Sequence, residues 1–138
     1  MIDTVIAIDP GREKCGVAVV GKRDGLLWKQ VIATPRLATV VEELARTREI
    51  CTVVIGDRTA HQSAVNALAE VRINGRTLSV HPVDEHRSSD EARGRYWLDN
   101  PPRGVMRLVP VTMRTPPVPV DDYVAVILAE RYFRQNCR

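Results

Sequence analysis

The sequence predicts an α/β fold in which a single five-stranded mixed sheet, a three-stranded antiparallel meander plus two further strands, is flanked by helices. Two observations predict it. The chain opens with three short, β-branched apolar runs separated by turn signals, and afterwards buried runs of strand length alternate with helically spaced apolar residues. With 138 residues and an apolar content of 44%, residues 1–138 are expected to form one domain.

The meander occupies the first 33 residues. Thr4–Ile8 is apolar and β-branched, and the turn signal Asp9-Pro10-Gly11 ends it. Strand character resumes over Cys15–Val20, Lys22–Gly25 is typical of a hairpin turn, and Leu26–Ala33 forms the third strand. We therefore expect three consecutive antiparallel strands.

Helical spacing begins after Pro35, where a first helix presents the apolar face Leu37, Val40, Val41 and Leu44. Val53–Gly56 is then predicted to be a buried strand. A second helix carries Ala64, Leu68, Ala69 and Val71 and is predicted to end near Asn74-Gly75, which can close a helix. Strands and helices thus alternate in the middle of the chain.

The rest of the chain completes the sheet and adds two helices. Arg76–Val83 is predicted as the fifth strand, and Ser88 or Ser89 can cap a helix that continues towards Trp97. Asn100–Pro119 is rich in proline and is expected to be a loop. The final helix begins near Asp121 and carries Ala125, Leu128 and Tyr132 on one face.

Composition narrows the function classes. Lys and Arg outnumber Asp and Glu by 20 to 17, which suits an anionic partner. Three widely spaced cysteines without a CxxC pair favour neither a zinc site nor a disulfide framework. No apolar run approaches membrane-spanning length, and the start lacks a basic signal region. We expect a cytoplasmic protein without a membrane partner.

Three acidic residues are placed where catalytic groups gather. Asp9 and Glu85 each follow a predicted buried strand, and Asp121 opens the last helix, where it is an equally good N-cap. Asp84 should point away from Glu85, and Asp122 should be solvated. Carboxylates that meet repel one another unless a divalent cation neutralises them, and oxygen ligands suit Mg²⁺ or Mn²⁺. Sequence spacing alone does not link the three acids.

The order of motifs resembles the YqgF/RuvX family. Ile6–Gly11 with Gly16–Val19 is similar to the family's opening motif Asp-x-Gly-x-x-x-x-Gly-Val-Ala, and Val53–Gly56 to its buried strand ending in glycine. Val83–Ala92 resembles the family's Asp-Glu-Arg-Leu-Thr/Ser-Thr-x-Glu-Ala segment, and Val120–Phe133 its terminal helix. The resemblance spans nearly the whole chain.

Several expectations follow from this resemblance. It implies an RNase H-like nuclease fold related to Holliday-junction resolvases, in a family whose members are assigned to pre-16S rRNA 5′-end processing or to junction resolution. It implies Asp9, Glu85 and Asp121 as the catalytic, metal-binding acids of a two-metal-ion nuclease whose first expected substrate is structured RNA such as an rRNA precursor, with branched DNA as the alternative. Junction resolution would favour a homodimer, because two symmetric nicks are required.

The chain also departs from the family pattern around this site. His86 and Arg87 replace the usual arginine and apolar residue, and Asp57-Arg58 follows Gly56 where Leu-Pro is usual. Asp57 lies just past a buried strand and is therefore a candidate for an additional or alternative metal ligand to Glu85, and His86 is a candidate to contact phosphate or assist proton transfer. These departures also motivate a competing hypothesis, a catalytically silent nucleic-acid-binding domain.

Basic and aromatic residues near the acids suggest a nucleic-acid surface. The cationic candidates lie in the first turn and after the fifth strand: Arg12, Lys14, His86, Arg87, Arg93 and Arg95. Trp28, Tyr96 and Trp97 either stack on bases or pack in the core. His61 and His81 lack metal-ligand spacing. The Asp-x-Gly turn also resembles the phosphate-binding opening of sugar kinases and actin-like ATPases, which need two such domains.

Overall fold

The structure, a computed structural model, describes residues 3–58, 60–101, 104, 108, 109 and 119–136. Its strands are β1 (Thr4–Asp9), β2 (Lys14–Gly21), β3 (Gly25–Ala33), β4 (Thr52–Gly56), β5 (Arg72–Ile73), β6 (Arg76–Thr77) and β7 (Ser79–Val83). A short 3₁₀ helix (Thr34–Arg36) precedes the helices α1 (Leu37–Arg48), α2 (His61–Ala69), α3 (Ser88–Asp99) and α4 (Asp121–Asn136).

The main sheet has five strands in the order β3-β2-β1-β4-β7. The first three strands pair antiparallel, whereas β4 pairs parallel with β1 on one side and with β7 on the other. This arrangement confirms the predicted mixed sheet with its meander. Because β1, β4 and β7 run in the same direction, their carboxyl ends lie at one edge of the sheet, where functional groups commonly gather.

The central strands bury both of their faces. Ile6 and Ile8 of β1 belong to a cluster of buried residues that includes α1 and α2, while Val5 and Ala7 pack on the opposite side with α3 and α4. Alternation along the strand explains the division, because successive side chains point to opposite faces. The sheet is thus covered by helices on both sides, and only its edges and strand ends are open to a ligand.

Two predicted boundaries are wrong, and both errors lie around Asn74-Gly75. The second helix ends at Ala69, and the predicted fifth strand is divided into β6 and β7. β5 and β6 form a separate two-stranded hairpin whose turn residues Asn74 and Gly75 have φ values of 53° and 80°. Asn-Gly with two positive φ angles is the preferred two-residue hairpin turn, so this pair closes a hairpin and not a helix.

The later helices begin close to their predicted positions. Ser88 is the first residue of α3 and does not cap it, because the N-cap is Arg87 in a left-handed conformation. Asp121 is likewise the first residue of α4. Most of the predicted proline-rich loop at 100–119 lies outside the described residues. Among those that are described, no helix has the length and apolar character needed to cross a membrane.

Candidate active site

Three carboxyl groups from separate segments meet at the open edge of the sheet. Asp9 is the last residue of β1, Glu85 lies two residues beyond β7, and Asp121 begins α4. The carboxyl group of Asp9 lies within hydrogen-bonding reach of the carboxyl groups of both other residues. The structure therefore brings together the three acids that the sequence singled out, with Asp9 at the centre.

Gly56 lets Glu85 reach this cluster. β4 separates β1 from β7, and adjacent strands lie about 4.8 Å apart, so the Glu85 side chain must cross the end of β4. It does so directly over Gly56, the last residue of β4, where an added Cβ would overlap the Glu85 carboxyl group and lie 2.6 Å from its Cγ. Any larger residue at position 56 would displace Glu85.

Gly16 in the same way lets Asp121 approach the cluster. It pairs with Asp9 across the antiparallel strands, and the first residue of α4 rests against it. An added Cβ at Gly16 would overlap the backbone carbonyl of Asp121 and lie 2.7 Å from the Asp122 nitrogen. The glycine thus allows the helix that carries Asp121 to approach the sheet beside Asp9.

The cluster is electrostatically unfavourable for three free carboxylates. Burial, followed by the neighbouring Glu85 and then Asp121, raises the pKa of Asp9 from 3.8 to about 9. Each cause disfavours the charged form: burial removes solvation, and a second carboxylate adds repulsion. At neutral pH the cluster therefore binds a proton or another cation, and strongly raised carboxyl pKa values of this kind are typical of functional sites.

Backbone hydrogen bonds fix the position of Glu85. The Arg58 N–H donates to Glu85 Oε2 at 2.8 Å, and the Glu85 N–H donates to Asp57 Oδ1 at 3.4 Å. Arg131 of α4 donates to the Asp84 carbonyl at 2.7 Å. Asp57 therefore contacts the backbone of Glu85, and Glu85, not Asp57, contacts Asp9. This geometry favours Glu85 as the middle acid.

Asp122 is not solvated, contrary to the sequence-based expectation. Its Oδ2 accepts a hydrogen bond from Lys29 Nζ at 2.9 Å, and its side chain is only 13% exposed. Lys29 also lies 4.2 Å from the centroid of the Tyr123 ring, a cation–π contact. The ion pair attaches the first turn of α4 to the sheet and directs Asp122 to β3.

The predicted cationic residues have different surroundings. Lys14 Nζ lies 4.0 Å from Asp121 Oδ2, beside the acid cluster. Arg93 pairs with Asp90, and Arg95 donates to both carboxylate oxygens of Glu130, at 2.6 and 2.7 Å. The guanidinium groups of these two arginines are thus engaged by carboxylates within the protein.

The other cationic candidates are exposed. Arg12 lies in the turn after Asp9, and His86 and Arg87 lie between Glu85 and α3. The His86 N–H donates to Asp84 Oδ1 at 2.9 Å, while Arg87 has a φ of 57°. The role of the His86 ring in contacting phosphate or transferring a proton stays a prediction.

The aromatic candidates contact the core. Trp28 packs against the α1 side of the sheet, and Trp97 against the α4 side. Tyr96 is 8% exposed and forms edge-to-face contacts with Trp97 and Tyr123. The packing interpretation therefore accounts for all three residues.

A cleft of about 220 Å³ opens onto the acids. It is lined by Asp9, Pro10, Arg58, Glu85, Ser88 and Ser89. From the sequence, Arg58 is only a departure from the family pattern, and the two serines are helix-cap candidates within the motif at Val83–Ala92. Their position after the carboxyl ends of β4 and β7 was the available signal, since such ends converge at one edge.

The cluster suits a hard divalent cation. Within the described ranges, no three His, Cys, Asp or Glu side chains are arranged as a ready-made metal-binding set. Mg²⁺, however, is usually held by only one or two carboxylates together with waters and substrate phosphates. Carboxylate oxygens that repel one another and open onto a cleft fit that mode of binding.

The fold is similar to that of RuvC from Thermus thermophilus. RuvC in complex with a Holliday junction substrate aligns with a TM-score of 0.63 at 16% identity, covering 97% of this chain and 96% of RuvC. A second Thermus thermophilus RuvC structure gives a TM-score of 0.58 at 17% identity, covering 96% of each chain. Neither a model of a known protein family nor a curated protein sequence matches this chain.

These likenesses establish the fold, which is the RNase H-like fold expected from the sequence. At such low identity they establish the fold alone. The similarity to the YqgF/RuvX family stays a prediction from motifs.

Proposed function

We propose that this chain is a divalent-metal-dependent nuclease that hydrolyses phosphodiester bonds in structured nucleic acid. The observation that carries the proposal is the contact of the Asp9 carboxyl with those of Glu85 and Asp121, at the open strand ends of an RNase H-like sheet. In this proposal the three acids are the metal-binding, catalytic residues, and Mg²⁺ or Mn²⁺ is the cofactor. Asp57 is assigned a positioning role through the Glu85 N–H.

Each residue of the site has a distinct part in this reaction. When bound, the metal ions would supply an activated water and stabilise the leaving oxygen. Asp9 holds the centre of the ligand set, while the Arg58 N–H fixes one oxygen of Glu85. Lys14, exposed and 4.0 Å from Asp121, is placed to attract a phosphate towards the acids.

The proposed substrate is branched or structured nucleic acid. The fold likeness to RuvC, whose structure contains a Holliday junction substrate, supports a four-way DNA junction as the substrate of this chain. An rRNA precursor 5′ leader is supported only by the motif resemblance to the YqgF/RuvX family. We rank branched DNA first, because the likeness to RuvC covers 97% of the chain. With that substrate we also propose a homodimer, since a two-fold junction needs two symmetric cuts.

Cleavage of matched substrates tests the proposal. Purified protein is incubated with a labelled four-way DNA junction, a linear duplex of the same sequence and an rRNA precursor leader, in Mg²⁺, in Mn²⁺ and in EDTA. We expect metal-dependent cutting of the junction that EDTA abolishes. Preferred cutting of the leader would assign the RNA function, and equal cutting in EDTA would exclude the metal mechanism.

The Asp9→Asn variant separates catalysis from binding. It should bind the junction and fail to cut it, whereas Asp24→Asn, a matched change in the exposed turn between β2 and β3, should retain full activity. If the wild-type protein binds the junction but never cuts it in either metal, the competing hypothesis of a silent nucleic-acid-binding domain is correct.

A further inference from the structure

A second, larger groove lies beside the acidic cleft. Its volume is about 570 Å³, and it runs between the turn after β1 and the start of α2. Arg12 and Thr34 line one side, and His61, Gln62 and Ser63 of α2 line another. Arg58 lines both this groove and the acidic cleft. The two cavities are therefore neighbours with a shared wall.

The groove is cationic. None of its lining residues in the described part of the chain is acidic, and two of them, Arg12 and Arg58, are exposed arginines. Unlike Arg93 and Arg95, these two guanidinium groups form no ion pair or hydrogen bond with a described residue. Since no described residue pairs with them, they can bind an external anion, and guanidinium groups match phosphate geometry well.

Two further properties define what the groove can hold. Leu37 and Ala64 give it an apolar lining next to the polar side chains. Its volume is within the roughly 300–1,000 Å³ of small-molecule sites, which is room for a nucleotide unit and too small to enclose a double helix. The combination fits an unpaired strand, with phosphate at the arginines and sugar or base at the apolar wall.

Arg58 links this groove to the reaction site. Its backbone N–H donates to Glu85 Oε2 at 2.8 Å, and Arg58 lines both the groove and the acidic cleft. A phosphate bound in the groove would therefore lie next to the cleft that opens onto the acids. The YqgF/RuvX pattern has Leu-Pro where this chain has Asp57-Arg58, so the resemblance does not imply this arginine. The feature belongs to this chain.

We propose that the groove between Arg12, Arg58 and the start of α2 binds an unpaired phosphodiester strand that leads into the acidic cleft, with Arg58 as the phosphate-positioning residue. The substrate class is thereby nucleic acid with a single-stranded segment beside the cut, either DNA or RNA. This inference rests on the proposed nuclease function for its place in the reaction, but the binding itself does not require cleavage.

Binding of short oligonucleotides tests the groove without catalysis. Fluorescence anisotropy in EDTA measures the affinity of labelled oligomers of about six nucleotides, a length within the range of known single-strand sites. The panel contains oligo-dT, oligo-U and an uncharged methylphosphonate oligo-dT. We expect the two charged oligomers to bind and the uncharged one to bind more weakly. A difference in affinity between oligo-dT and oligo-U would show whether the groove prefers DNA or RNA. Equal binding of the uncharged oligomer would overturn the phosphate contact.

Arginine variants locate the contact. Arg58→Ala should weaken binding about tenfold, as expected for one charge-assisted contact, and should lower the salt slope by about 1. Arg58→Lys should recover part of the affinity. The matched control is Arg23→Ala, an exposed arginine in the β2–β3 turn, which should change affinity by less than about twofold. Equal losses in both alanine variants would indicate a diffuse charge effect and overturn the proposal.

A change on the opposite wall keeps the test independent of Arg58. Ser63→Asp places a negative charge in the first turn of α2, where it favours the helix and repels phosphate. Thr39→Asp is its control, because Thr39 is exposed and is also the third residue of its helix. Weaker binding in Ser63→Asp alone supports the groove, and wild-type affinity in both Ser63→Asp and Arg58→Ala refutes it.

Cleavage assays on the same variants distinguish the two proposals. For a cleaved junction, Arg58→Ala should raise KM more than it lowers kcat, because it removes a substrate contact outside the acids. Cleavage with unchanged oligomer binding in both Arg58→Ala and Ser63→Asp refutes the groove and leaves the nuclease. Arg58-dependent binding without any cleavage refutes the nuclease and leaves the groove.

Discussion

Replacing Asp9 with asparagine should make the metal-free protein more stable while it abolishes cleavage. The pKa of Asp9 is raised from 3.8 to about 9, by burial first and then by Glu85 and Asp121. Between these values the folded state holds a proton that the unfolded state has released. The free energy of unfolding that protonated Asp9 contributes is therefore fully present below about pH 4 and is lost as the pH rises towards 9.

The magnitude follows from the width of that window. Each pH unit above the ordinary value of 3.8 costs about 1.4 kcal/mol, which amounts to about 4 kcal/mol at pH 7 as an upper bound. Asparagine has nearly the same shape and never ionises. Because neighbouring carboxyls share the proton, we expect Asp9→Asn to gain about 2 to 4 kcal/mol at pH 7, and almost nothing near pH 4.

Urea unfolding in EDTA measures this difference. Wild type, Asp9→Asn and the control Asp24→Asn are compared at about pH 4, 7 and 8.5, within the range set by the two pKa values. Added Mg²⁺ should stabilise the wild type and leave the Asp9→Asn variant nearly unchanged, because ligand binding to the folded state raises stability. A variant less stable than wild type at pH 7, or a difference independent of pH, refutes the electrostatic reasoning.

Four further substitutions test residues in and around the site. Gly56→Ala should leave thermal stability nearly unchanged yet reduce the cleavage rate about a hundredfold, because the flexible Glu85 side chain moves aside. Gly16→Ala should instead lose about 3 kcal/mol of unfolding free energy in urea, because its added methyl group meets rigid backbone. Ala60→Gly should gain about 1 kcal/mol in the same assay, since this helix N-cap has a φ of 61°, and a loss would contradict it. Lys29→Met should lose about 2 kcal/mol by leaving a mostly buried carboxylate unpaired, and no loss would show that the ion pair contributes nothing.

The fold was predictable where one local signal had one meaning. Asp9-Pro10-Gly11 ends β1 whatever the rest of the chain does, and short β-branched apolar runs between turn signals predict the meander. Asn74-Gly75 had two meanings, because glycine after a helix and Asn-Gly between strands are both common. The deciding fact was the pairing of Arg72–Ile73 with Arg76–Thr77, two strands too short to show a period of two.

The site was predictable in its residue types but not in its contacts. Nothing local connects positions 9, 85 and 121, and the motif order suggested them only as a set. Two glycines allow the acids to meet: Gly56 lies under the Glu85 side chain, and Gly16 lies under the first residue of α4. Both belong to the sequence motifs, but the motifs do not reveal this role. Such contacts depend on strand order, which places β4 between β1 and β7.

Asp122 illustrates the same limit. From the sequence it is one of two adjacent acids at a helix start, and helical spacing turns it away from Asp121. Its partner Lys29 is 93 residues away on β3, so only the tertiary structure could reveal the ion pair. The pair separates the roles of the two neighbours, since Asp121 faces Asp9 while Asp122 fastens the helix to the sheet.

The energetic character of the cluster argues against a domain that only binds nucleic acid. A binding surface gains from arginine and lysine and gains nothing from a carboxyl whose pKa is raised to about 9 by burial and by two other acids. Such a cluster lowers the stability of the metal-free fold at neutral pH. Two glycines and the hydrogen bonds to Glu85 nevertheless hold it together. An arrangement that reduces stability and is still supported from several elements is characteristic of a catalytic site, which is why the cutting assay in Mg²⁺ and Mn²⁺ has priority over binding measurements.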